Sequence, residues 1–235
     1  EKDGEVFWET EIGKGRPGWH IECSAMSTKY LGKHFDIHTG GVDLIFPHHE
    51  NEIAQSEGAT GEKFVNYWLH NEHLLVEGRK MAKSFGNYFT LRDILSKGYN
   101  PIAIRYLLLA THYRQQLNFT FEGLDGAKNA LQRLYDFMDR LKGVKSQKSH
   151  PEVAEILKEA QNGFEESLDD DLNTSSALGK IFDLVKEINR FIDEGDFSSR
   201  DAEKTLALMQ RFDSVLGILK REEVKTMTGD ISGLR

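Results

Sequence analysis

Cys23 and the run Pro47-His48-His49-Glu50-Asn51-Glu52 gather side chains that ligate metals. Cys23 is the only cysteine in 235 residues, so no disulfide can form within the chain. A lone thiol in a reducing compartment is buried, catalytic or metal-bound. Pro47 stands where a helix can begin, because the first helical position needs no N–H. Gly58 is placed to close that helix after Glu57. On it, His48 and Glu52 lie four apart on one face, a spacing at which imidazole and carboxylate can share one cation. A thiolate from Cys23 makes three candidate ligands, and zinc suits that mixture of sulfur, nitrogen and oxygen. His49 and Glu50 point to other faces, as supporting or structural groups. On spacing alone, a hydrolytic zinc site with Glu50 or Glu52 as base stays open.

A second constellation would handle phosphates. Lys80-Met81-Ala82-Lys83-Ser84 and Phe85-Gly86-Asn87 follow an expected strand at Leu74 to Val76 and a Glu77-Gly78 turn. Two lysines three apart can place ammonium groups around a polyphosphate, each contact worth roughly 3 kcal/mol where charge grows in a transition state. The alternative is a solvated basic turn. Between the two sets lies His38-Thr39-Gly40-Gly41-Val42-Asp43-Leu44. Its glycines let a backbone approach a flat or phosphorylated ligand, and an acid after the turn can accept hydrogen bonds from ribose hydroxyls.

These groups need a scaffold, and the chain shows two textures. Up to about Tyr88 it is rich in Gly, His and aromatics, with short apolar runs such as Phe35 to His38, which points to α/β structure. From Thr90 onward the pattern is helical. Thr90 and Asp93 form a capping pair for a helix that Gly98 ends, and Asn100-Pro101 start the next, to about Ala110. Beyond Phe121 the stripes Leu131/Leu134/Tyr135/Met138/Leu141, Leu178/Ile181/Phe182/Val185/Ile188/Ile192 and Leu206/Met209/Phe212/Leu216/Leu219 recur at helical spacing and read as core packing. With Pro151 to Leu168 they predict a four-helix bundle. Gly143 to His150 reads as an exposed loop.

Asp and Glu number 38 against 30 Lys and Arg, a formal charge of −8, which counts against a nonspecific nucleic-acid binder with a basic surface. Lys142, Lys145, Lys148, Arg105 and Arg114 are candidates for a local RNA-facing surface. No apolar run is long enough to span a membrane and the first residues lack a signal peptide's pattern, so the expected location is the cytoplasm.

Taken together, GRPGWHIECSAM, HTGGVDLIFPHHENEIAQSE and KMAKSFGNYFTLRDIL resemble the cysteinyl-tRNA synthetases, class I enzymes with a Rossmann-like catalytic core. The match is dense from about Phe7 to Leu124. The helical remainder, with DDDLNTSSAL from Asp169 to Leu178, is similar to that family's tRNA-binding domain. The implied fold is the C-terminal portion of an α/β Rossmann-like core followed by an all-α bundle. Its expected divisions are 1–88 with the metal site and lysine loop, a helical connection at 89–124, and a tRNA-binding bundle at 125–235.

The resemblance further implies one zinc ion held by Cys23, His48 and Glu52, with a fourth cysteine ligand from an upstream segment. It places Trp19 and His38 in the amino-acid pocket. Gly41 and Asp43 fall at the adenosine, and Lys80 and Lys83 at the phosphates of Mg-ATP in a KMSKS-type loop. Ala82 replaces that signature's serine, and Thr39 stands where glycine is frequent. The HIGH-type motif is not in this sequence, so the expectation is a fragment that forms no aminoacyl-adenylate by itself. Implied partners are cysteine, ATP and tRNA(Cys), in a monomeric enzyme that uses zinc to select the substrate thiolate. Two other readings are a ligase joining cysteine to an amino sugar, as in mycothiol biosynthesis, and a noncatalytic zinc-containing RNA-binding paralogue.

Overall fold

The computed structural model describes residues 6–220, and the chain divides into two compact units between His73 and Leu74. The first opens with an exposed hairpin, β1 (Trp8–Thr10) and β2 (Gly13–Gly15), in which Thr10 Oγ1 donates to the Gly13 carbonyl at 2.7 Å. Helix α1 (Trp19–Leu31) follows Gly18. Strands β3 (Phe35–Gly41) and β4 (Val65–Asn71) then pair in parallel, with His38 opposite Trp68 and Gly40 opposite His70. Parallel neighbours need a long crossover, which α2 (Glu50–Thr60) provides. It packs on α1, where the Ser24 hydroxyl donates to Gln55 Oε1 at 3.0 Å.

The helix over PHHENE begins at Pro47 as expected but ends later. Phe46 is extended at φ −132° and ψ 131°, a kink after which Pro47–His49 runs into α2. Gly58 stays inside the helix, where glycine costs only about 1 kcal/mol. The helix instead closes on Gly61, which takes the left-handed φ of 70° and donates its N–H to the Glu57 carbonyl at 2.8 Å. Strand β4 was not anticipated. Its Val65-Asn66-Tyr67-Trp68-Leu69 run is rich in strand-forming types, but only α2 brings it beside β3.

The second unit begins with a tight hairpin, β5 (Leu75–Val76) and β6 (Arg79–Lys80). Glu77 and Gly78 both have positive φ, 51° and 72°, the pairing that two-residue hairpin turns require. Helix α3 (Leu91–Ser96) is capped reciprocally: Asp93 N–H donates to Thr90 Oγ1 at 3.2 Å, and Thr90 N–H to Asp93 Oδ2 at 2.7 Å. Helix α4 (Pro101–Leu109) has Pro101 in its first turn and Asn100 Oδ1 accepting from Ile102 N–H at 2.7 Å.

The helical texture expected from Thr90 onward is then broken by β7 (Asn118–Phe119), which pairs in parallel with β5 to give the order β6-β5-β7. Two residues carry no periodicity, so only the pairing reveals this strand. Helices α5 (Phe121–Lys142), α6 (Val153–Asp169), α7 (Thr174–Glu194) and α8 (Ser199–Leu216) complete a bundle. Leu134, Leu141, Ile181, Ile188, Met209 and Phe212 fill its core. Gly217, at φ 62°, stops α8, so Leu219 lies beyond the helix while still packing on the core.

The stretch from Gly143 to His150 is the exposed loop expected, and it is tied down at several points. The Ser146 carbonyl accepts from Ser199 N–H at 2.8 Å, Ser149 Oγ donates to Asp201 Oδ2 at 2.5 Å, and His150 lies 4.6 Å from the Phe191 ring. Its polar composition hid these ties, because each partner comes from α7 or α8. Among the described residues, no helix is long and apolar enough to cross a membrane. Residues 221–235 of the expected tRNA-binding segment lie outside the described residues.

Candidate metal centre and lysine loop

The helical run from Pro47 through α2 presents His48 and Glu52 to α1, one turn inside which stands Cys23. One ligand atom from each of Cys23, His48 and Glu52 lies within 4.8 Å of the other two. His48 Nε2 is 2.7 Å from Glu52 Oε1. The Glu52 side chain is wholly buried, and neither of its carboxylate oxygens has a hydrogen-bond partner. Burying a carboxylate without partners is costly. A cation held between the thiolate, imidazole and carboxylate would answer it, and this donor set fits zinc in kind and number.

The electrostatics follow from burial. Burial pushes the Glu52 carboxyl up to about 7. It also raises the Cys23 thiol, with the charges of Glu52 and then Glu22 adding to the effect and the Trp19 side chain opposing it. His38 and His48 are lowered, first by burial and then by neighbouring imidazoles. His49 falls to about 4, from burial and then from His38, His70 and His48. Neutral imidazole is the form that ligates a metal.

Behind the candidate ligands lies a layer of rings in which His38 and His49 were named from the sequence and Trp68 and His70 were not. His38 Nε2 is 3.5 Å from Glu52 Oε2, and its ring stacks on Trp68 at 4.6 Å and 23°. His49 is buried beside them, its Nδ1 2.8 Å from His70 Nε2. With His38 and Glu52 it forms a second group of potential ligands that shares the carboxylate. The helical wheel turns His49 away from His48, as a supporting group, and the signal that could have found its partners Trp68 and His70 is the alternation Trp68-Leu69-His70 on β4. Gly40 is required by close approach: a Cβ there would stand 2.7 Å from His49 Cε1.

Of the candidate substrate residues, Trp19 is largely exposed with its ring 4.6 Å from that of His48, while His38 sits among the rings just described. Gly41 ends β3 and Asp43 follows in the turn Val42–Leu44. Both stand at the C-terminal end of a parallel strand, where open α/β sheets bind ligands. Gly41 is extended, so its lack of a side chain serves space: a Cβ would meet the Asp43 carboxylate.

In the second unit, Lys80 lies on β6 and Lys83 starts a short turn to Phe85, both exposed. Asn87 shapes the loop between them: its Oδ1 accepts from Ala82 N–H at 3.0 Å, and its amide donates to the Lys80 carbonyl at 3.1 Å and the Val76 carbonyl at 3.3 Å. Among the described residues neither lysine has an acidic partner, although Lys83 Nζ lies 5.4 Å from the Tyr88 ring centre. The other basic candidates are mostly engaged. Arg105 Nε donates to the Leu216 carbonyl at 2.5 Å, Arg114 pairs with Asp171, Lys142 with Asp139, and Lys148 with Asp196.

Comparison with known proteins adds to this geometry. Residues 1–129 match the tRNA synthetases class I (C) catalytic domain, and residues 163–220 match the DALR domain. The chain is 54% identical over 226 residues to a cysteine–tRNA ligase of Protochlamydia amoebophila, covering 95% of this chain and 47% of that protein. It is 55% identical over 219 residues to one of Brachyspira hyodysenteriae, covering 92% and 46% respectively. It thus spans about half the length of these curated relatives. Among solved structures, the agnB2 LeuRS of Agrobacterium radiobacter K84, in a ternary complex with tRNA and LeuAMS, is similar with a TM-score of 0.62. At 16% identity, over 78% of this chain and 26% of that one, the likeness concerns the fold alone.

Proposed function

Because the chain belongs to the class I (C) tRNA synthetases, we propose that the protein carrying it activates cysteine with ATP and transfers it to tRNA(Cys). The observation that carries this reading is the convergence of Cys23, His48 and the buried Glu52, whose oxygens have no hydrogen-bond partner, beside His38 of β3. Those three residues would hold zinc. When bound, zinc supplies a soft acceptor for the substrate's sulfur, which separates cysteine from serine by coordination chemistry rather than by size. A shape-matched pocket alone provides about 1–3 kcal/mol for so small a difference, short of the roughly 5.5 kcal/mol that 10⁴-fold discrimination needs.

The remaining roles belong to positioning. Trp19 and His38 would line the amino-acid pocket, and Gly41 and Asp43 would receive the adenosine of Mg-ATP. The cysteine carboxylate attacks the α-phosphorus and expels pyrophosphate, with Lys80 and Lys83 countering the charge that grows on the phosphates. A terminal ribose hydroxyl of the tRNA then takes the cysteinyl group and releases AMP. Residues 1–88 would form the catalytic portion, 89–124 a helical connection and 125–235 the tRNA-binding bundle, in a monomeric cytoplasmic enzyme.

The test is cysteine-dependent ATP–pyrophosphate exchange by the full-length protein, with charging of tRNA(Cys) and of an amino-sugar acceptor run in parallel. Exchange with tRNA charging supports the reading. Exchange with transfer only to the amino sugar, or zinc and RNA binding without exchange, would overturn it.

A further inference from the structure

The turn between α6 and α7 holds two consecutive non-glycine residues in the left-handed region, Asp171 and Leu172, each at φ 55°. Such backbone costs roughly 1–3 kcal/mol per residue and persists where its surroundings over-determine it. Here the Asp171 carboxylate is the point of convergence. Arg114 grips it with Nε to Oδ2 at 2.5 Å and Nη2 to Oδ1 at 3.3 Å, and the Tyr113 hydroxyl donates to Oδ1 at 2.5 Å. His112 Nε2 stands 3.9 Å from Oδ2, and its ring stacks on Tyr113 at 4.9 Å. As a source of stability this is poorly matched, since an exposed ion pair contributes only about 0–1 kcal/mol.

The clasp's place in the chain suggests another role. Arg114 lies in the catalytic-domain match and Asp171 in the DALR match. Four residues after Arg114 comes β7, whose partner β5 shares a hairpin with β6 and Lys80. Leu75 N–H donates to the Leu117 carbonyl at 2.8 Å, and Gly78 N–H to Asn118 Oδ1 at 2.7 Å. On the other side, Thr174 Oγ1, at the first position of α7, donates to the Leu109 carbonyl at 2.7 Å. A short, hydrogen-bonded path therefore runs from the turn of the bundle, through Asp171 and the segment from His112 to Leu117, to the hairpin that carries the lysine loop.

We propose that Asp171 is a positioning residue: clasped by Arg114 and Tyr113, it ties the α6–α7 turn of the bundle to the segment leading into the lysine-loop hairpin, so that a tRNA seated on the bundle is held in register with that hairpin during transfer. The inference rests on the function proposed above. It assigns the clasp to the tRNA-dependent step and not to adenylate formation, because the hairpin's own bonds to β7 and Asn87 shape the loop whether or not tRNA is present.

The experiment uses the full-length protein with Asp171→Asn, Tyr113→Phe and the charge exchange of Arg114→Asp with Asp171→Arg. Asp171→Asn is expected to lower kcat for tRNA charging about tenfold while pyrophosphate exchange stays within about twofold, with part of the loss recovered in the charge exchange. Equal losses in both assays would reduce the clasp to a fold element and overturn the proposal, as would charging that no variant changes. Absence of cysteine-dependent exchange in the parent protein would instead strike the proposed function itself, so the two failures are distinct.

Discussion

His48 Nε2 and Glu52 Oε1 stand 2.7 Å apart, one helical turn along the chain, and their contact is not a hydrogen bond. A buried carboxylate oxygen and an imidazole nitrogen this close without hydrogen-bond geometry mark a site that a cation would relieve, and with Cys23 they define a measurable metal affinity. Replacing Cys23 with Ser removes the soft donor. Zinc retained after dialysis is expected to fall, with affinity lost by more than the roughly 10- to 100-fold typical of outer supporting residues. Metal analysis of the purified chain reads this, and undiminished zinc in Cys23→Ser would sink the assignment.

Metal binding to the folded state alone stabilises it by about 2.7 kcal/mol when free metal is 100-fold above Kd. Zinc is therefore expected to raise the melting temperature of the unaltered chain, and a chelator to reverse it. In Glu52→Gln both responses should vanish, while the metal-free variant melts no lower than its parent, because the amide removes a buried acid whose oxygens lack partners. A parent chain indifferent to zinc would contradict the site.

Gly40 and Gly58 make a matched pair. A methyl group at Gly40 would press on His49, which is only 3% exposed and wedged among His38, Trp68 and His70. Gly40→Ala is expected to cost about 1–3 kcal/mol, the range for overpacking. A methyl group at Gly58 meets nothing within 4 Å, and this helical position should gain up to about 1 kcal/mol with alanine. Thermal melts of both variants check the contrast.

Lys80 and Lys83 are exposed and lack acidic partners among the described residues, so their loss should leave stability nearly unchanged. In the full-length protein, Lys80→Ala or Lys83→Ala is expected to slow pyrophosphate exchange about 10²- to 10³-fold, the scale for removing one preorganised donor from a transition state. An exchange rate within twofold of the parent would remove the phosphate role.

Asp201 offers a pH test away from the metal centre. Burial pushes its carboxyl up, but the hydroxyls of Ser149 and Ser198, with Lys204 beyond them, outweigh burial and hold it below the usual carboxylate range. A depressed folded pKa contributes stability that is present above the unfolded value of about 4 and is lost as pH falls through the folded one. Asp201→Asn should therefore destabilise the bundle by about 1–3 kcal/mol near neutrality, with the difference shrinking below pH of about 4. Denaturant melts across that range provide the comparison.

What was legible in the sequence is what local chemistry specifies. Thr90 with Asp93, and Asn100 with Pro101, cap their helices within three residues, so composition and spacing suffice to place them. The apolar stripes of α5, α7 and α8 name their buried faces because a helix repeats regularly. His48 and Glu52 are neighbours for the same reason, being one turn apart. Gly58, expected to end α2, stays helical, and Gly61 takes the left-handed conformation that closes the helix instead.

The sequence by itself thus determined the two textures, the caps, the stripes and the types of group available for metal and phosphate chemistry. Only the tertiary structure decided which of those groups face one another. His49 meets His70 across 21 residues and Arg114 meets Asp171 across 57. Strand β7 exists because β5 lies beside it, and Arg105, while exposed, donates to the end of α8. Such pairings arise when elements pack, and packing follows from the summed burial of whole faces, which no short window of residues contains.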